Sequence, residues 1–199
     1  MKRPNYIHLC ICLLLGHLLI AQSEHQKPSV KDLDFLIGDW DISFEFYNTH
    51  HPEKGIWFTE KGNQTCYYDL DLNGEPRYII CKGEVTCDSG RFEGRKRSFM
   101  EAIRYGPFVE SFERIGIYSN WPGTALERLN YDPSSRNMTI AGELEVREGK
   151  ERYEDIYVFD ENFNTYTRKN IANFPDMPIS QFNLTVKGKG AKLMSKKAE

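Results

Sequence analysis

The chain has 199 residues, with 26 basic and 29 acidic side chains, a net charge of −3 and 40% hydrophobic residues. A nucleic-acid binder would be expected to be basic, so that class is set aside, and the length suits one domain with a sizeable core. Lys2 and Arg3, the apolar run 7–20 and Ala21-Gln22-Ser23 form the three regions of a secretory signal peptide, assigned to residues 1–23. A span needs about 20 apolar residues, so the run predicts a cleaved leader and no stable membrane anchor. No small-residue lipobox precedes Cys10 or Cys12. The expected location is secreted or periplasmic. Removing the leader leaves 24 basic against 29 acidic residues and three cysteines, Cys66, Cys81 and Cys87. In an oxidising compartment these predict one disulfide and one spare thiol. Their spacing lacks the paired close cysteines of a zinc site, so neither a metal nor another cofactor is expected.

Residues 24–31 read as a flexible lead-in, and residues 30–36 suit one short helical turn capping a barrel. From Trp40, the residues Trp40, Ile42, Phe44 and Phe46 alternate with Asp41, Ser43, Glu45 and Tyr47, the period-2 pattern of a strand with one apolar face. Gly38 supplies backbone freedom just before it, and Trp40 is large enough to plug a barrel floor. A Gly-x-Trp opening the first strand resembles the calycin barrels: lipocalins, fatty-acid-binding proteins and nitrobindin-like proteins. The longer string Asp34-Phe35-Leu36-Ile37-Gly38-Asp39-Trp40-Asp41-Ile42 more closely resembles an uncharacterised bacterial family of secreted, calycin-like domains. Tyr131-Asp132-Pro133 and Gly142-Glu143-Leu144 extend the likeness over most of residues 32–187, although Met138 stands where that pattern has an aromatic. The resemblance implies a container, and a fold alone does not name a function.

Residues 48–55 read as a loop and 56–72 as a long extended stretch rich in strand formers. Asn73-Gly74 is then the strongest hairpin signal in the chain. A two-residue loop there sets Tyr67 opposite Ile80 and Cys66 opposite Cys81, which allows a cross-strand disulfide. Counting from the turn makes that a hydrogen-bonded pair, so a bridge needs strain or a bulge, and two free thiols remain the alternative. Further strands are expected at 77–86, 97–105, 112–119, 124–131, 138–147, 152–159, 165–171 and 179–187, separated by turns rich in Gly, Pro, Asn and Asp. The expectation is an all-β fold: an antiparallel up-and-down barrel of about ten strands over residues 32–187, followed by a Lys-rich tail at 188–199.

The mature chain has three histidines, His25, His50 and His51. Nitrobindin-like barrels hold haem through a late-strand histidine, which no residue after His51 provides. No Ser-His-Asp, phosphate-loop or dinucleotide pattern is present. Tyrosine and arginine dominate the polar positions of the strands, and Trp40, Tyr67, Arg104, Tyr105, Tyr118, Tyr157 and Arg168 are the candidate ligand contacts. The resemblance to lipocalins implies that Arg168 closes over Trp40 as a cation–π lid. Arg91, Arg95, Lys96 and Arg97 form a basic turn, read either as an anion or protein contact or as solvated surface.

Two functions fit: a barrel binding a small, partly apolar molecule in its lumen, or a lyase, dehydratase or isomerase. The enzyme would act on an acidic carbohydrate or a polyketide- or terpene-like substrate through Tyr, Arg and carboxylate groups. A tyrosine converging with an arginine or glutamate inside the lumen favours the enzyme, and a wholly apolar lumen favours the binder. Oligomeric state is not legible.

Overall fold

The computed structural model describes residues 28–48, 52–90, 92–119, 124–146, 149–171 and 184–193. Residues 1–23, expected as a leader, half of the expected lead-in, His25, His50, His51, Arg91, the 120–123 turn and the start of the strand expected at 179–187 lie outside the described residues. Ser29 caps a short 3-10 helix, Val30–Leu36, by accepting from the Lys31 N–H while Asp32 accepts from the Ser29 N–H. Val30, Leu33 and Leu36 are buried beneath the sheet.

Ten strands follow: β1 Gly38–Asn48, β2 Ile56–Leu70, β3 Pro76–Gly90, β4 Lys96–Gly106, β5 Ser111–Tyr118, β6 Thr124–Asp132, β7 Asn137–Val146, β8 Gly149–Phe159, β9 Thr165–Ile171 and β10 Leu184–Lys192. Each pairs antiparallel with its neighbour in sequence, and β1 also pairs β10, so the sheet closes into an up-and-down barrel with no free edge. The 3-10 helix, the start of β1 and the β2–β3, β4–β5, β6–β7 and β8–β9 turns gather at one end, called here the lower end.

The lower end is sealed around Trp40, which is 2% exposed. Gly38 turns the chain into β1 at φ 128°, a conformation that L side chains rarely adopt. The Trp40 Nε1–H donates to the Leu36 carbonyl at 2.9 Å, and the Tyr166 ring lies 5.3 Å away. Lys192 Nζ sits 5.1 Å from the Trp40 ring centre and donates to the Phe35 carbonyl at 3.0 Å. The cation over Trp40 is therefore Lys192 rather than Arg168. Above this plug the interior is filled by Ile103, Met138, Ile140, Tyr157 and Phe159, with a cavity of ≈ 30 Å³, room for little more than water.

Several strand ends differ from the sequence expectation: β3 runs on to Gly90 through residues expected as a turn, β8 begins at Gly149, and two further differences have a clear cause. The last strand runs to Lys192, so residues 188–192, expected as tail, are its second half. Its inward positions include Gly188 and Gly190, where a Cβ would come within 2.7 Å of the Phe44 ring and 2.2 Å of the Tyr166 ring. Gly188 and Gly190 inside and Lys187 and Lys189 outside leave no apolar alternation, so the strand reads as a polar tail.

The β2–β3 turn is also not the two-residue loop expected. Gly74 sits at φ 82° and donates to the Asp71 carbonyl, the Asp71 N–H bonds Glu75, and the register shifts between Asp69 and Leu70. Cys66 and Cys81 pair across the strands with a Cα–Cα distance of 4.1 Å, the close approach of a non-hydrogen-bonded pair, and are joined by a disulfide. Cys87 is free and buried.

Truncating a buried aromatic usually costs about 3–5 kcal/mol. Trp40→Ala should therefore remove much of the stability of the domain, read as a large drop in the urea midpoint. A midpoint near wild type would show that the plug bears little weight. The bridge spans 15 positions of sequence. A loop of that size corresponds to about 3 kcal/mol, so melting with and without a phosphine reductant should separate by many degrees. Coincident melts would show that the bridge contributes little.

Candidate functional site

Strand alternation carries charged side chains into the lumen. On β5, Arg114 faces inward at 2% exposure, while Ile115 and Ile117 face out at 41% and 47%. On β6 the inward residue is Glu127 at 2%, with Leu126 outside at 62%. Glu101 on β4, Tyr153 and Asp155 on β8, and Arg168 and Asn170 on β9 join them within the barrel.

Arg114 lies at the centre. Its Nε and Nη2 donate to Glu127, the latter at 2.8 Å, and its Nη1 donates to Glu101 at 3.2 Å. Asp155 stands 3.8 Å from the same guanidinium and accepts from Arg168 Nε and Nη2 at 3.1 and 2.7 Å and from Asn170 at 2.9 Å. Tyr118 donates to Glu101 at 2.9 Å, and Tyr153 donates to Glu127. Above them, Arg97 on β4 is bonded through Nε and Nη2 to Glu60 on β2. Each buried charge thus has a hydrogen-bonded opposite partner, the condition under which charge is tolerated in a protein interior.

The network becomes accessible away from its centre. The Arg114 and Glu127 side chains are 2% and 1% exposed, whereas Glu60, Arg97 and Arg168 reach 10%, 16% and 20%. Water therefore reaches the outer members inside the barrel. Arg97 and Arg168 both lie by the Phe44 ring, at 5.9 and 5.4 Å from its centre. Phe99 and Tyr157 extend that aromatic wall, at 5.8 Å from Arg97 and 5.4 Å from Arg168 respectively.

Burial and neighbouring negative charge set the ionisation of the phenols. Burial, reinforced by Glu101, raises Tyr118 well above its usual value, and burial with Glu127 does the same for Tyr153. Burial raises Tyr157 to about 12 and, with Tyr157 nearby, lifts Tyr166 further. Burial works against the Arg114 charge, but the fields of Glu101, Tyr118 and Glu127 outweigh it and hold the guanidinium protonated.

Of the seven residues expected to contact ligand, the structure brings Tyr118, Tyr157 and Arg168 to this network. Trp40 belongs to the lower plug. Tyr105 faces in near the lower end, 5.3 Å from Phe112. Tyr67 is on the outer wall, 39% exposed with Lys82 over its ring, because Cys66 takes the inward parity. Arg104 is also outside, bonded to Glu113 at 2.9 Å, since it neighbours the inward Ile103 and Tyr105. The basic turn is divided in the same way. Arg97 points into the barrel to Glu60, Lys96 pairs with Glu84 on the surface, and Arg95 lies over Phe92.

The sequence reading missed Glu60, Glu101, Glu127 and Asp155 as site residues. The available signal was parity: each lies two positions from an inward aromatic or aliphatic residue, as in Tyr153-x-Asp155-x-Tyr157-x-Phe159. Among the described residues no group of three or more His, Cys, Asp or Glu side chains is placed to hold a metal ion.

No family model matches this chain, and no curated protein matches it.

Tyr157 holds its proton to about 12 when folded, against 10.0 for a free phenol, and Tyr118, Tyr153 and Tyr166 shift in the same direction. The folded state therefore binds more protons than the unfolded chain above about pH 10, and stability falls as pH rises through that range. Thermal melts between neutral pH and about pH 12 should show a steep decline starting near the ordinary tyrosine value. Phenolate absorbance should show these tyrosines ionising only as the barrel unfolds. Their ionisation in the still-folded protein would contradict the burial described here.

Proposed function

We propose that the chain is an exported, calycin-like barrel that binds a small, partly apolar molecule in the accessible part of its lumen. The observation that carries this reading is the contrast within one interior. The lower end is packed to a cavity of ≈ 30 Å³, whereas inward-facing Arg97 and Arg168 remain partly open to water beside Phe44. Ligand sites commonly combine apolar and aromatic walls with a few fixed polar groups. Phe44, Phe99 and Tyr157 provide the wall, and the two guanidiniums, each held by a carboxylate, provide the fixed polar groups. Export rests on the leader, and calycin kinship rests on the Gly38-x-Trp40 opening together with the closed ten-strand barrel. Neither nucleic acid nor a membrane anchor enters this reading.

A second reading, a lyase, dehydratase or isomerase, is favoured by one observation: Tyr118 and Tyr153 converge with Arg114, Glu101 and Glu127. Against it, the phenols of Tyr118, Tyr153, Tyr157 and Tyr166 are shifted away from neutrality, where a general base works best, and Arg114 is fully engaged with protein carboxylates.

Native mass spectrometry of protein from its own source should reveal a co-purifying small molecule, and a ligand panel should raise the melting temperature. A bound molecule released chemically altered would favour the enzyme. An empty barrel that responds to no member of the panel would sink the binding reading.

A further inference from the structure

Resting on that reading, we infer that the lumen is built for an uncharged ligand, one that presents a hydrogen-bond acceptor such as an amide, ester or ketone carbonyl at the end of an apolar body. The inference rests on the way in which the lumen guanidiniums use their donors. Arg114 commits Nε, Nη1 and Nη2 to Glu127 and Glu101 and is closed to any ligand. Arg97 and Arg168 each commit Nε and Nη2 to one carboxylate, Glu60 and Asp155 respectively. The Nη1 group of each has no partner among the described residues, and neither is a sealed buried atom. Two N–H-bearing groups fixed by charged partners thus meet the accessible lumen, both beside the Phe44 ring.

Charge then decides what they accept. Arg97, Arg114 and Arg168 stand among Glu60, Glu101, Glu127 and Asp155, so the carboxylates already outnumber the guanidiniums. Each accessible arginine is also neutralised by its own bonded partner. An added anion would meet a lumen with an excess of negative charge, and would lose its hydration to reach guanidiniums whose charge is already compensated. Beside Phe44 an added ammonium would meet N–H groups, which cannot accept a hydrogen bond from it, and Glu101, the carboxylate with an unbonded oxygen among the described residues, lines the ≈ 30 Å³ cavity that has room for little more than water. A carbonyl oxygen satisfies those donors without bringing charge. Its apolar remainder lies against Phe44, Phe99 and Tyr157, the rings nearest the two arginines. Arginine is suited to this task because its planar fork keeps Nη1 directed while Nε and Nη2 stay bound; a lysine ammonium has no such division.

The test compares decanamide, methyl decanoate, decanoate and decylamine, four probes with similar alkyl chains, on the disulfide-bonded mature protein by calorimetry and thermal shift. The amide and the ester should bind at least about tenfold more tightly than the acid and the amine, a difference of one good hydrogen bond. Tighter binding of decanoate or decylamine would overturn the neutral-ligand inference and leave lumen binding standing. No binding by any of the four, together with an empty protein in native mass spectrometry, would overturn both. Arg97→Lys and Arg168→Lys retain a cation beside Glu60 and Asp155 and remove the fork. Each should weaken decanamide about tenfold, with wild-type far-ultraviolet circular dichroism showing an intact barrel. Unchanged decanamide affinity in both folded variants would overturn the assignment of the Nη1 groups. If one variant fails to fold, the other and the wild-type series still decide it.

Discussion

The burial of Arg114 constrains the barrel more than any single apolar contact. Its guanidinium on β5 meets Glu101 on β4, Glu127 on β6 and Asp155 on β8, and Asp155 in turn holds Arg168 on β9. A slip of one residue in β5 would turn Ile115 and Ile117 inward and Arg114 outward. That slip would bury two isoleucines, each worth about 1.5–3 kcal/mol when fully buried, but would turn Phe112 and Tyr118, which pack against the core, outward. It would leave Glu127 and Glu101 buried without their cation, and stranding one partner of a buried pair costs about 3–5 kcal/mol. It would also break the β4 and β6 ladders. Ion pairing and the ladders, together with Phe112 and Tyr118 rather than the isoleucines, select the register.

The lower end works by different physics. Gly38 allows the turn, Trp40 fills the axis, and Lys192 covers the indole while tying the end of β10 to the 3-10 helix. The aromatic rings that fill the barrel lean against glycines on the neighbouring strand, Phe44 over Gly188 and Tyr166 over Gly190. Cross-strand pairs of this kind let large rings lie along the wall instead of colliding at the axis. A substituted residue at Gly190 would displace Tyr166, which touches Trp40, so β10 and the plug behave as one packing unit.

Much of this architecture was legible because strands that bury one face must alternate, and β1 alternates cleanly from Trp40 to Phe46. The turns carry Gly, Pro, Asn and Asp where the backbone needs them, so nearly all strand positions could be found. The end of the barrel was obscured by Lys187-Gly188-Lys189-Gly190, whose inward residues have no side chain to mark them. The site was obscured by the opposite effect. Beside the buried charges of β5 and β6 the apolar residues Ile115, Ile117 and Leu126 face outward, so hydrophobicity points to the wrong face there, although Leu129 further along β6 is buried. Arg104 and Tyr105 adjoin in sequence and were both expected to contact ligand, although strand geometry places them on opposite sides of the wall. Arg97 was grouped with a surface turn because its partner, Glu60, is distant in sequence and only sheet closure brings the two together.

The same network separates structural charge from charge that can act. At its centre Glu127 is committed on both oxygens, accepting from Arg114 and Tyr153, whereas Glu101 accepts from Arg114 and Tyr118 on Oε1 alone among the described residues. Acid–base chemistry at Glu127 would have to displace a guanidinium or a phenol from a carboxylate whose buried charge depends on it, and Glu101, bonded on one oxygen, lines the ≈ 30 Å³ cavity, too small for more than water. At the periphery the arrangement reverses. Glu60 and Asp155 are spent on Arg97 and Arg168, whose far sides point to accessible space. On the binding reading proposed above, the lumen would offer a ligand fixed hydrogen-bond donors on an aromatic wall, backed by paired charges that keep those donors in place. That combination suits recognition of an acceptor-bearing molecule better than proton transfer to one.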